Sequence, residues 1–337
     1  MRRRVIVGIV LVLLAAALPL LARCGRTAAG APVLSATQTE HDAHDSNPLS
    51  DVFTLYDEST HRTLTVPDDE FLAAAVVCEM PLTYADEALR AQAVAAYTVY
   101  DYQRAARRAA GRRGADFTCR SADWLIYTTP EQMRARWGDR YAEYQARLDR
   151  VLHSVRGQRL TYGGARVLAV YSALSAGTTD AAADVWGGAL PYLVPVDSAW
   201  DCAAPDFETI VSVSAADFRT ALFAENASCN FSGTPAEWLG AADCTASGLV
   251  RQMQIGGQAF GGETLRARFS LRSAHFTLTW NGTDFEFVVH GYGHGVGMSQ
   301  YGANAMAQSG ADYRTILAHY YPGTELTDGK TFFRANS

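Results

Sequence analysis

The ten residues Phe71-Leu-Ala-Ala-Ala-Val-Val-Cys-Glu-Met80 constrain this chain more than any other segment. Pro67-Asp-Asp-Glu70 precedes them and reads as a helix start, because acidic side chains in a first turn meet the positive end of the helix dipole. Pro81 follows them and pushes Met80 out of the helical region, so the helix stops there. The product is an apolar helix with one acid, Glu79, in its last turn. Two effects act on that carboxyl in the same direction. The C-terminal end of a helix is electrically negative and disfavours a carboxylate. The apolar neighbours Val76, Val77, Cys78 and Met80 desolvate it, which also favours the protonated form. On local pattern alone an exposed helix-end glutamate is the commoner outcome.

Around this helix the pattern predicts both helices and strands. A second helix is expected from about Ala85 to Ala110, with Leu89, Ala93, Ala96, Tyr97 and Tyr100 on one face. A third is expected from Pro130 to about His153. Short strands are expected at Val52–Tyr56, Thr63–Val66 and Val167–Tyr171. A hairpin is expected at His275–Trp280 and Phe285–His290, turning on Asn281-Gly282, with Phe276, Leu278 and Trp280 on its buried face. Residues 199–249 read as an irregular, turn-rich insertion. The fold class is therefore mixed α/β (α+β), a helical segment packed on largely antiparallel sheet, with a substrate groove. A chain of 337 residues, nearly half of them hydrophobic, is long enough for a real core.

Met1-Arg-Arg-Arg4 and the apolar run Val5–Leu21 predict a signal anchor over residues 1–24. The residues Leu-Leu-Ala-Arg-Cys-Gly at its end make a poor cleavage site. The basic end then stays cytoplasmic, and the rest of the chain faces outward. Residues 25–50 are polar, without a period, and read as a flexible linker. The expected localisation is the cell membrane, single-pass, with the folded part outside the cytoplasm. The formal net charge of −6 argues against nucleic acid as a partner. The basic run Arg104, Arg107, Arg108, Arg112 and Arg113 reads as a solvated helix end. An outward-facing chain permits disulfides, and Cys202, Cys229 and Cys244 are close enough in sequence for one bridge. Cys78 reads as a small buried hydrophobe.

Three blocks resemble the stage II sporulation protein D family, which includes amidase-enhancer cell-wall proteins. The first is Cys78-Glu-Met-Pro81 followed by Glu87-Ala-Leu-Arg-Ala-Gln-Ala-Val-Ala-Ala96. The second is Ser175-Ala-Gly-Thr-Thr179 with Asp184-Val-Trp-Gly-Gly188 and Pro191-Tyr-Leu193. The third is Gly291-Tyr-Gly-His-Gly-Val-Gly-Met-Ser-Gln-Tyr-Gly-Ala303, with His319-Tyr-Tyr-Pro-Gly323 beyond it. The resemblance runs from about residue 50 to the end and makes 51–337 the catalytic domain. It implies a lytic transglycosylase that cleaves peptidoglycan glycan strands, preferably peptide-stripped, during engulfment in sporulation. Glu79 would be the catalytic residue. A sporulation amidase and a membrane protein that recruits both are the implied partners, and no cofactor is implied. The chain departs from the family at Tyr97, where Arg is usual, and at Ser172, where His is usual.

Breaking a glycosidic bond requires a proton on the leaving oxygen. One carboxyl group suffices if it first donates that proton and then accepts one from the muramyl 6-hydroxyl, closing a 1,6-anhydro ring. Glu79 is the candidate for both roles. Glu87 is the obvious second carboxylate, but in the first turn of its helix it reads as dipole-stabilising. Candidate substrate contacts are Gln92, Ser175, Thr179, Arg272, His294, Ser299, Gln300 and Tyr301. Arg272 suits a sugar carboxylate or an internal acid. Trp186 and Tyr192 suit either stacking on sugars or packing. Gly291, Gly293, Gly295 and Gly297 either let the backbone approach a ligand or form a tight structural loop. His290 and His294 would serve a metal hydrolase, but no third ligand stands at a standard spacing, so no metal is expected. The other competing function is a non-catalytic wall-binding module that enhances an amidase.

Overall fold

The computed structural model describes residues 52–328. The expected anchor at 1–24 and linker at 25–50 lie outside the described residues. Among those described, no helix is long and apolar enough to cross a membrane.

The structure is mixed α/β, and its largely antiparallel pairing is divided among several small sheets. Val52–Asp57 and Arg62–Pro67 form the first hairpin, and Phe117–Cys119 adds to it in parallel. The helix Asp68–Glu79 leaves this sheet directly. Met80 is extended and Pro81 follows, so the helix ends where the sequence predicts. Asp86–Ala109 forms the long second helix, whose inner face includes Leu89, Ala93, Ala96 and Tyr100. These elements share one apolar core with Phe53, Phe71, Phe117 and the C-terminal helices Gln300–Gln308 and Tyr313–Tyr320.

Several expectations are corrected. The predicted third helix is two, Pro130–Trp137 and Tyr141–Ser154. Gly138, at φ 53° and ψ −128°, breaks it, a conformation open to glycine but not to a helix. The strand expected at Val167–Tyr171 shrinks to Tyr171–Ser172, paired in parallel with Met298–Ser299. Residues 199–249 are not irregular: they contain the strand Glu208–Ser214, the helix Ala215–Glu225 and the strand Leu239–Cys244. Glu208–Ser214 pairs along its whole length with Asp284–His290, the second strand of the predicted hairpin. A second apolar cluster forms there around Phe218, Trp238, Phe285 and Phe287.

The hairpin Phe276–Trp280 and Asp284–His290 is present, with Phe276 and Leu278 buried. Its turn is shifted by one residue. The Asn281 N–H donates to the Asp284 carbonyl, which leaves Gly282 and Thr283 as the central pair, and only Gly282 takes positive φ. Asn281 instead accepts from the Thr283 and Asp284 amides through its side chain. The bridge allowed among Cys202, Cys229 and Cys244 is not formed. Cys229 lies buried, while the other two are exposed on separate elements.

The basic run is only partly solvated. Arg104 is fully buried, stacks 4.0 Å over Phe53, and pairs with Asp101 and Asp68. Arg159 and Arg166 also reach Asp101, at 3.0 and 2.9 Å. Burial alone would raise the Asp101 pKa, but Arg159, Arg166 and Arg104 hold it below its usual value. Tyr97 joins this network, donating to Asp68 at 3.0 Å beneath the Arg159 guanidinium.

Candidate functional site

Glu79 is partly exposed as a residue, yet its Oε1 is withdrawn from solvent and has no hydrogen-bond partner. Burial pushes its pKa up to about 8, with no neighbouring charge large enough to offset it. The carboxyl therefore holds its proton near neutral pH. Glu79 thus differs from an ordinary exposed helix-end glutamate in having one carboxyl oxygen withdrawn from water.

Two tyrosines, not anticipated as site residues, stand beside it. Tyr100 from the long helix and Tyr171 from the short parallel strand are both within electrostatic reach of Glu79 and of each other. Burial raises both phenols well above their usual pKa. Neither hydroxyl has a well-formed hydrogen bond. The two phenols interact weakly with each other, and Glu79 Oε1 has no partner at all, an uncommon state for a buried polar atom. Cys78 is the adjoining thiol. Burial and then Glu79 raise its pKa, so it stays a neutral thiol, matching its reading as a small hydrophobe.

Glu87 is occupied elsewhere. It pairs with Arg90 and accepts the Tyr313 amide at 2.9 Å, which fastens the second helix to the C-terminal one. It does not stand as a free second carboxylate.

The three sequence blocks converge. The Ala85 amide donates to Asn304 at 2.8 Å, and Gln300 donates to Gln92 at 3.3 Å, both inside the structure. Leu174 and Tyr292 exchange two backbone hydrogen bonds, and the Asp180 amide donates to the Gly295 carbonyl. The glycines explain this closeness. A Cβ on Gly293 would stand 2.6 Å from the Ser172 Cβ, and one on Gly297 would stand 2.1 Å from the Val170 carbonyl oxygen. The alternating glycines thus let two protein segments meet, the structural of their two readings, and all four take positive φ.

Most of the predicted substrate contacts are committed to the protein itself. Ser175 and Ser299 are buried and both donate to Asp201, at 2.5 and 2.9 Å. Ser198 donates to the same carboxylate at 3.1 Å. Burial raises the Asp201 pKa despite these bonds. No local pattern marks Asp201, because its serine partners stand as far as 98 positions away. Thr179 is buried and accepts the Val196 amide at 2.9 Å. Gln92 and Gln300 are buried against each other. Tyr301 is partly exposed, its hydroxyl 3.4 Å from the Ala203 carbonyl. Arg272 stacks 4.5 Å over Tyr292 and lies 3.9 Å from Asp206.

His294 is buried, with its ring centroid 5.2 Å from that of Trp186, and its Nδ1 accepts the Val296 amide. Burial, and then Arg266, depress its pKa to about 3, so it is a neutral imidazole with its proton on Nε2. His290 instead reaches Glu208 at 3.1 Å on the surface. The two imidazoles have separate partners. Among the described residues no group of three or more His, Cys, Asp or Glu is placed to hold a metal ion.

A family model described as stage II sporulation protein matches residues 56–162, which include the Glu79 helix and the long helix. The chain is 31% identical over 278 residues to stage II sporulation protein D of Bacillus amyloliquefaciens, covering 82% of this chain and 79% of that one. The corresponding protein of Bacillus subtilis (strain 168) is 30% identical over the same coverage. An amidase enhancer of Bacillus subtilis is 24% identical over 76% of this chain and 40% of its own length. At 30–31% identity over 82% of its length, this chain belongs to the stage II sporulation protein D family.

Proposed function

We propose that the protein is a lytic transglycosylase that cleaves peptidoglycan glycan strands to 1,6-anhydro-muramyl ends, with Glu79 as general acid and then general base. The observation that carries this reading is the Glu79 carboxyl itself, with Oε1 buried and unpartnered and its pKa raised to about 8. Such a group keeps a proton to give to a leaving oxygen at neutral pH. Once ionised in that setting it is a strong enough base to take the proton of the 6-hydroxyl. The glycosidic C–O bond breaks as the first proton is given, and O6 bonds to C1 as the second is taken, so one group serves both steps and no water is consumed. The engagement of Glu87 by Arg90 and Tyr313 fits a mechanism without a second carboxylate.

The setting proposed for this activity is the outer face of the cell membrane, with the run Val5–Leu21 as anchor, during engulfment. Glycan strands already stripped of peptides, an amidase that strips them and a membrane protein that recruits both are the proposed partners. The relationship to an amidase enhancer supports one other reading, a wall-binding protein that stimulates an amidase without cutting glycan.

Product analysis separates the two. Peptide-free glycan strands are incubated with the wild type and with Glu79→Gln, and the products are weighed by mass spectrometry. Anhydro-muramyl ends from the wild type alone are expected. Wall binding without such products would favour the enhancer. Activity retained in Glu79→Gln but lost in chelator would point to a metal hydrolase.

A further inference from the structure

Beside the end of the Glu79 helix, on a face that Glu79 itself does not line, the structure holds a cavity of about 370 Å³. That volume falls in the size class of small-ligand sites, roughly 300–1,000 Å³. Its walls include Met80, Trp124, Trp137 and Tyr144, with Arg136 and Arg140 at its edge. The kink at Gly138 brings them together, since Arg136 and Trp137 close one helix and Tyr144 lies in the first turn of the next. The rings meet edge to face, Trp124 with Trp137 at 6.2 Å and Trp137 with Tyr144 at 5.5 Å. All three rings line the cavity.

The two arginines differ. Arg140 lies 4.2 Å over Tyr144 and is paired with Glu143 at 3.2 Å. Arg136 lies 4.2 Å over Trp124, is exposed, and makes no ion pair among the described residues. Its charge reaches Cys78, next to Glu79 in the chain. A planar guanidinium held over an indole presents its N–H fork to a carboxylate in a fixed plane. Aromatic walls suit the C–H faces of a pyranose ring. The combination selects a sugar that carries a free acid group.

We propose that this cavity is a saccharide subsite for a residue bearing a free carboxylate, with Arg136 as the partner of that carboxylate and Trp124 and Trp137 as walls. The proposal rests on the reading of the protein as acting on glycan strands. In such a strand the lactyl ether of a muramyl residue ends in a free carboxylate when no peptide is attached. A peptide converts that group to a neutral amide and adds bulk. Arg136 would thus be a specificity-determining residue that reads the absence of a peptide.

The test uses full-length Glu79→Gln protein, which removes cleavage from the measurement, and two probes. One is a peptide-free N-acetylglucosamine–N-acetylmuramic acid tetrasaccharide. The other is the same tetrasaccharide with its lactyl carboxylates methyl-esterified. Calorimetric titration is expected to show tighter binding of the free acid. Adding Arg136→Gln is expected to weaken free-acid binding at least about tenfold, the scale of one charge-assisted hydrogen bond, and to leave the ester unchanged. Arg136→Lys is expected to recover part of the loss. Equal affinities for the two probes, equal losses on both in Arg136→Gln, or no binding of either would overturn the proposal. Discrimination between the probes without anhydro products from the wild type would keep the subsite and sink the enzyme. Anhydro products without discrimination would do the reverse.

Discussion

Ser299 Oγ donates to Asp201 Oδ1 at 2.9 Å, while Ser175 Oγ reaches the other oxygen of the same carboxylate at 2.5 Å. One buried acid thus ties the middle loop to the glycine-rich block. Ser198, its third serine partner, also contacts the Tyr320 hydroxyl at 2.8 Å. Asp201→Ala would leave three serine hydroxyls and the Ser175 amide without their acceptor. The expected cost is about 3 kcal/mol, the usual scale for breaking a buried charged hydrogen-bond network. Urea unfolding measures it. A loss under about 1 kcal/mol would mean that water replaces the carboxylate easily.

Asp201 also shows where the sequence runs out. The Glu79 helix was legible because its acidic start, apolar body and terminal proline are all local signals. The neighbours of Glu79 were not, since Tyr171 comes within its electrostatic reach from 92 positions downstream. Tyr100 was readable as a core residue of its helix, but nothing local says that its hydroxyl ends beside an acid. Ser175, Ser299 and His294 stood in recognisable motifs, yet the motif could not distinguish a residue that touches sugar from one that holds the loop. In the structure their polar atoms are turned to the protein. Residues 199–249 looked irregular because the pairing partner of Glu208–Ser214 is a strand some 70 residues later. A strand paired so remotely has no turn signal to reveal it.

Gly297 makes the close approach of two blocks testable. Its φ is +75°, and a Cβ there would lie 2.1 Å from the Val170 carbonyl oxygen. The obstructing atom is backbone, so relief requires moving the short parallel strand beside Glu79. Gly297→Ala is expected to cost roughly 2–4 kcal/mol from strain and overpacking together. Thermal unfolding checks this, and a melting temperature near that of the wild type would contradict the tight seam.

Tyr171→Phe and Tyr100→Phe separate structural from functional use of the two phenols. Each hydroxyl is buried without a well-formed hydrogen bond, so removing it should change stability by no more than about 1 kcal/mol. Both hydroxyls lie within electrostatic reach of Glu79. Glycan cleavage is therefore expected to fall at least about tenfold in one or both variants while the melting temperature stays put. A large drop in melting temperature with normal turnover per folded molecule would assign the tyrosines to the core alone.

The raised pKa of Glu79 makes a prediction about stability that needs no substrate. Its folded value is about 8 against 4.5 for the free side chain. Below pH 4.5 both folded and unfolded chains hold the proton, and the group makes no difference. Between 4.5 and about 8 the unfolded chain releases the proton and the folded chain keeps it. The folded state then binds more protons, so stability falls as pH rises through that window. Above about 8 both states are ionised and the loss is complete, on the order of 5 kcal/mol for a shift of this size. Glu79→Gln cannot ionise and escapes the loss. Measured by urea unfolding at pH 4, 6, 8 and 9, the variant should gain on the wild type from pH 4 to 8 and then hold a constant lead. All other titrating groups are shared and cancel in the difference. Profiles that stay parallel across the window would mean that the carboxyl is solvated, and would remove the physical basis for Glu79 as an acid at neutral pH.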